Sequence, residues 1–167
     1  MIHRRPLPCA VRPFAAEALG SWIGRLAGRY QMTVEELDLA FCIGLANDAR
    51  LQWLAPGPIS DSALETLTHV ARIDGAALLA PDTPRDWADA THARYCPRCV
   101  FVNPADVAHP FWQRRWLEPR AGWCAVHSER LSTITALEVR TAGNIPRLLR
   151  AVGALEQQRR SARIGRY

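Results

Sequence analysis

Four residues constrain this chain more than any others. Cys96 and Cys99 have two residues between them, and so do Cys124 and His127, with 24 residues separating the pairs. Each pair fits a tight turn that aims two soft ligands at one point. The loop between must return the second turn so that a tetrahedron closes. Four protein ligands leave no open position, so the ion expected there, a single Zn2+, is structural and not catalytic. Its binding energy would hold a segment too small to fold alone.

The first pair, in "RYCPRCVFV", also fits a dithiol redox couple, where a proline between the thiols is common. That chemistry requires a thioredoxin-type βαβ frame. Instead "VFVNPADV" follows, and Pro104 interrupts any long helix there. The redox alternative needs Cys96 and Cys99 oxidised and free of metal. His92 and His109 flank the segment as substitute ligands without knuckle spacing. Cys42 reads as a core residue of the second helix and Cys9 as an incidental thiol. Phe111, Trp112, Trp116 and Trp123 read as core cover for the small module, with an interaction surface as the second reading.

A composition of 49% hydrophobic and 22% charged residues is that of a globular chain. No run approaches the roughly 18–20 apolar residues of a membrane span. "MIHRRPLPCAVRPF" has no apolar signal core, so a cytoplasmic, reducing setting is expected. No Ser-His-Asp set, paired carboxylates or glycine-rich phosphate loop stands out, and the chain reads as a non-enzyme.

The pattern is mainly α. Residues 1–13, with Pro6, Pro8 and Pro13, read as an extended N-terminal arm. Residues 14–80 read as a helix-turn-helix-like helical domain, 93–133 as a zinc-finger module, and 134–167 as a basic amphipathic C-terminal helix and tail. Leu19, Trp22, Ile23, Leu26 and Tyr30 fall on one face of a first helix. Thr33 and Glu36 form a capping-box pattern ahead of a second helix, whose Val34, Leu37, Leu39 and Phe41 continue a buried face. "LANDARLQWL" reads as a third, recognition helix offering Asn47, Arg50 and Gln52 to a DNA groove. Ser62 with Glu65 reads as the cap of a fourth helix carrying Leu64, Leu67, Val70 and Ala71, and "AALLA" as a short fifth. A last helix is expected from Ile145 to Arg160, with Ile145, Leu148, Leu149, Val152 and Leu155 as its packing stripe.

All 21 basic residues are arginine. Through residue 137 they balance the acids, so the net charge of +5 falls in the last 30 residues. Arg147, Arg150, Arg159 and Arg160 are therefore candidate contacts to a nucleic-acid backbone.

"PLPCAVRPFAAEALGSWIGRLAGRY" resembles the opening of TniQ-family proteins, with Glu17, Leu19, Ser21, Trp22, Arg25, Leu26 and Ala27 carrying the match. "YCPRC", "HPFWQRRW" and "CAVHSERL" resemble that family's zinc segment through Arg114 or Arg115, Trp116, Cys124, His127 and Leu131. The resemblance implies a bacterial, non-enzymatic adaptor in DNA transposition. Such an adaptor bridges an AAA+ ATPase regulator to a target-recognition protein or RNA-guided complex, as in CRISPR-associated transposons. It implies that the arm and first helices, including Arg4, Arg5, Arg12, Trp22 and Arg25, face a partner, and that the basic tail touches DNA or guide-RNA backbone. Ala18 stands where the family pattern often has Ser. The second zinc pair of many relatives is missing, since no cysteine follows Cys124. The alternative is a zinc-containing helix-turn-helix transcription regulator that binds duplex DNA directly.

Overall fold

The apolar stripe of the first helix turns inward as expected. In the computed structural model, which describes residues 5–45, 51–79, 87, 91–101 and 110–164, it becomes α1 (Leu19–Arg29), with Leu19, Trp22, Ile23 and Leu26 fully buried. The opposite side of the same helix is also covered, because Gly20, Gly24 and Gly28 recur every four residues and form a flat stripe. Against that stripe lie a 3₁₀ turn (Gln52–Leu54) and the start of the last helix, through Ile145 and Pro146.

α2 (Val34–Phe41) begins with the expected capping box. Thr33 Oγ1 accepts the Glu36 N–H at 3.1 Å, and the Glu36 carboxylate accepts the Thr33 N–H at 2.7 Å. Its buried face is narrower than the sequence suggested. Val34 and Leu37 are buried, but Leu39 is 73% exposed because it points away from that face. Cys42 is exposed as well, not a core residue, since it ends α2 in a left-handed conformation (φ 48°) that turns it outward.

The recognition-helix expectation is corrected where the structure describes it. Asn47 and Arg50 lie outside the described residues. The end of that stretch is the 3₁₀ turn, and Leu51, Trp53 and Leu54 plug inward. Trp53 Nε1–H donates to the carbonyl of Val139 at 2.9 Å, so this turn is anchored to the C-terminal part of the chain. α3 (Asp61–Ala71) starts two residues earlier than predicted. Ser60, not Ser62, is its cap, accepting the Ala63 N–H at 3.2 Å, and Leu64 is only half-buried. α4 (Ala76–Leu79) is the expected short fifth helix.

The arm is extended but not free. Leu7 donates its N–H to Val70 at 2.9 Å, and the Val11 carbonyl accepts Trp22 Nε1–H at 2.6 Å. Arg4 lies outside the described residues, whereas Arg5 and Arg12 are exposed.

A two-stranded antiparallel sheet pairs β1 (His92–Tyr95) with β2 (Ser132–Thr135), Tyr95 opposite Ser132. α5 (Pro97–Phe101) follows β1 directly, and a second 3₁₀ turn covers Arg114–Leu117. α6 (Ala136–Ala142) carries a second capping box, between Thr135 and Glu138. α7 runs from Ile145 to Ile164, longer than expected. Asn144 launches it by accepting the Arg147 N–H at 3.0 Å, while its amide donates to Met32 O at 2.8 Å. The arm, the helices, the cysteine segment and α7 share one set of buried residues, from Leu7 to Val152. Among the described residues no helix is long and apolar enough to cross a membrane.

Candidate metal centre

The β1–β2 pair closes the base of the cysteine segment. Cys96 leaves β1, and the first turn of α5 brings Cys99 to the same side, with Val100 N–H bonded to Cys96 O at 3.1 Å. The second knuckle is a tight turn. Ser128 N–H donates to Cys124 O at 2.8 Å, Cys124 N–H donates to Glu129 O at 2.8 Å, and Ser128 adopts φ 50°. Arg98 projects from the first knuckle to Glu129 beyond the second at 3.1 Å, an exposed pair that contributes little energy.

The four ligand atoms all lie within 4.8 Å of one another. His127 Nδ1 stands 3.4 Å from Cys96 Sγ, 3.2 Å from Cys99 Sγ and 3.8 Å from Cys124 Sγ, and the Cys99 and Cys124 sulfurs are 3.6 Å apart. A tetrahedron with metal–sulfur bonds of about 2.3 Å and metal–nitrogen bonds of about 2.0 Å has edges of roughly 3.5–3.8 Å. The side chains therefore sit at the corners of a metal-binding cluster consistent with one zinc ion.

The electrostatics agree. Burial raises the thiols of Cys96 and Cys99, and for Cys99 the neighbouring sulfurs add to the effect. Burial also raises the Cys124 thiol, but the backbone N–H groups of His127 and Val126 outweigh it and hold that thiol at about 7. Three crowded sulfurs cannot all ionise without a compensating cation, and a dication supplies that compensation. Gln113 Nε2–H points at Cys99 Sγ from 3.8 Å, a contact the spacing of the cysteines did not reveal. No disulfide joins any of the five cysteines. Of the substitute ligands, His92 is turned to the Thr91 hydroxyl at 2.8 Å, and His109 lies outside the described residues.

Gln113 also ties the centre to the N-terminus. It bridges Glu17 in an antiparallel pair, Ala18 N–H donates to Trp112 O at 2.9 Å, and Trp112 N–H donates to Ser21 Oγ at 2.9 Å. Glu17 is fully buried and accepts from Ser21 Oγ at 2.8 Å, from Phe14 N–H at 3.0 Å and from Arg25 at 2.6 and 2.8 Å. Two expected partner-facing residues are thus corrected. Trp22 is fully buried, and Arg25 is consumed by Glu17 and by the Arg12 carbonyl at 2.9 Å. Glu17→Gln keeps the shape but removes the charge opposite Arg25. We expect thermal denaturation to show a loss of about 1–3 kcal/mol, and an unchanged melt would make this network dispensable.

The aromatics divide. Trp112 and Trp116 are buried and meet edge to face at 6.0 Å, Phe111 stacks on Phe14 at 4.9 Å, and Trp123 is 67% exposed. Among the tail arginines, Arg147, Arg150, Arg159 and Arg160 are all exposed. Arg159 differs in its partners: it donates to Glu156 at 2.8 Å, Tyr95 Oη at 3.2 Å and Thr133 O at 3.0 Å. Leu148, Val152, Leu155 and Arg159 follow one another at spacings of four, three and four, so Arg159 extends the packing stripe. The side chain of Gln52 is not among those described.

A family model, TniQ, matches residues 8–131, from within the arm to the residue before β2. The chain belongs to the TniQ family. No curated protein and no solved structure matches it. The two stretches that carry the TniQ resemblance, around Glu17–Ala27 and Cys96–Leu131, are joined in space through Glu17, Ser21, Trp112 and Gln113. TniQ membership associates the chain with DNA transposition.

Proposed function

We propose that this TniQ protein is a non-enzymatic adaptor of DNA transposition, joining an AAA+ ATPase regulator to a target-recognition protein or RNA-guided complex. The observation that carries the reading is the family match across residues 8–131, which spans the arm, α1 and all four ligand residues. Its mechanism is geometric. Cys96, Cys99, Cys124 and His127 would hold a zinc ion as a cross-link between two turns, and the Glu17 network fixes those turns to α1. The result is a rigid body with Arg5, Arg12 and the exposed arginines of α7 on its outside.

Co-expression with an AAA+ ATPase regulator of transposition tests the reading. We expect the two to co-purify as a complex that forms on DNA with ATP, and deletion of the adaptor to abolish targeted insertion while leaving the transposase intact. Tight, sequence-specific duplex binding by the free protein, with no ATPase complex, would instead establish the transcription-regulator alternative.

A further inference from the structure

One polar cleft lies away from the metal centre. It has a volume of about 470 Å³ and sits between β2 and the end of α7, lined by Arg130, Ser132, Thr133, Glu156, Arg159 and Arg160. The charges in it are not equivalent. Arg159 and Glu156 neutralise each other at 2.8 Å. Burial works to raise the Glu156 carboxyl, but hydrogen bonds from Tyr95 and Arg159 outweigh it and hold the group below its usual range, so it stays ionised and occupied. Arg130 and Arg160 have no acidic partner among the described residues. The cleft therefore carries two guanidiniums without an ion-pair partner among the described residues, a setting for an anion with several oxygens.

A second feature adjoins it. Arg130 pairs across an isolated antiparallel bridge with Trp123, which places the two side chains on one face. Trp123 is 67% exposed, whereas Trp22, Trp53, Trp112 and Trp116 are buried. An indole face beside paired arginines matches the alternation of base and phosphate along an unpaired strand. A base within a duplex has no free face for such a ring.

We propose that this cleft seats the phosphate backbone of single-stranded nucleic acid through Arg130 and Arg160, with an unpaired base stacked on Trp123. Arg159 is a positioning residue that shapes the floor through Tyr95 and Thr133. The inference deepens the transposition reading by naming the nucleic-acid form its basic surface meets. It rests on that reading only for preferring nucleic acid over other polyanions.

The test titrates the purified, zinc-loaded chain with a short unstructured DNA or RNA strand, following tryptophan fluorescence at several salt concentrations. We expect quenching on binding. The double variant Arg130→Ala/Arg160→Ala should bind about tenfold more weakly at low salt, with a salt slope shallower by about 1.4, from roughly 0.7 for each lost single-strand contact. Trp123→Ala should abolish the quenching and weaken binding five-fold or more, at the scale of one lost stacking contact of about 1–3 kcal/mol, while Trp123→Phe retains part of the affinity. Arg29→Gln, at an exposed arginine in the last turn of α1, should leave all of this unchanged. Zinc content and melting temperature equal to those of the parent establish that each variant is folded.

An unchanged salt slope in the Arg130/Arg160 variant overturns the cleft as the phosphate site. Equal binding of a duplex or of base-free polyphosphate, without quenching, overturns the unpaired base. Strand binding uses the isolated chain, so its failure leaves the ATPase complex to be judged separately, and the converse also holds.

Discussion

Cys124→Ser yields a chain that purifies without stoichiometric metal and loses its cooperative melt. The reason is one of magnitude. A structural zinc contributes about 10–16 kcal/mol of apparent binding energy at neutral pH, whereas a whole domain is stable by only about 5–15 kcal/mol. Removing one thiolate leaves three donors around a site whose sulfurs and imidazole stand 3.2–3.8 Å apart, a spacing that only a shared cation makes favourable. Because the buried set runs from Leu7 to Val152 without a break, loss of the clamp also releases Trp112 and Trp116 from their packing against the rest. Cys9→Ser and Cys42→Ser, both at exposed thiols, should leave metal content and melting unchanged. Chelator should reproduce the Cys124→Ser phenotype in the parent. Acid should do so as well, since protons compete with the ion for thiolate and imidazole. Metal analysis with circular dichroism decides the matter. A parent protein that is metal-free and fully folded would end the zinc reading, and an oxidised Cys96–Cys99 pair in it would reinstate the dithiol chemistry.

How much of this was legible in the sequence depended on how local each signal was. Two-residue knuckle spacing and a capping box are set within a turn, and both Cys96–Cys99/Cys124–His127 and Thr33–Glu36 appear as read. Periodicity identified α1 and α7 because their stripes are long. It failed at the ends of elements. "LANDARLQWL" ends in a 3₁₀ turn because Leu51, Trp53 and Leu54 are drawn into the space between α1 and α6, a tertiary demand that no local pattern encodes. Long-range polar pairing was equally invisible. Glu17 looked like one member of a motif until Arg25 closed on its carboxylate and Gln113 paired with its backbone from far along the chain. Arg159 was read with the other exposed arginines by charge, although its place at the end of the Leu148–Val152–Leu155 stripe, which lets it reach Thr133 and Glu156, was available to a stricter count.

The glycine stripe of α1 gives the sharpest contrast between propensity and packing. Glycine inside a helix costs about 1 kcal/mol relative to alanine, so Gly→Ala is ordinarily stabilising. Gly153, within α7, follows that rule: an added methyl group would meet only Phe101 at 3.5 Å, ordinary contact, so Gly153→Ala should raise the melting temperature. Gly20→Ala should do the opposite. Its methyl group would strike the backbone carbonyls of Trp53 and Leu54, and backbone cannot rotate aside. A methyl group at Gly24 would lie 2.7 Å from the Trp53 ring, and that ring is itself fixed by its bond to Val139. A methyl group at Gly28 would lie 2.6 Å from the rigid ring of Pro146. Overpacking costs about 1–3 kcal/mol and occasionally more. Displacement of the 3₁₀ turn belongs at the upper end, so Gly20→Ala should lose about 3 kcal/mol despite its gain in helix propensity. Gly24→Ala should fall between Gly20→Ala and Gly153→Ala, since a ring yields more than a peptide. Denaturant melts of the three alanine variants rank them directly. A Gly20→Ala protein as stable as its parent would mean that α1 does not press its glycine face against the Trp53 turn. The close approach on which the shared core depends would then be lost from the account.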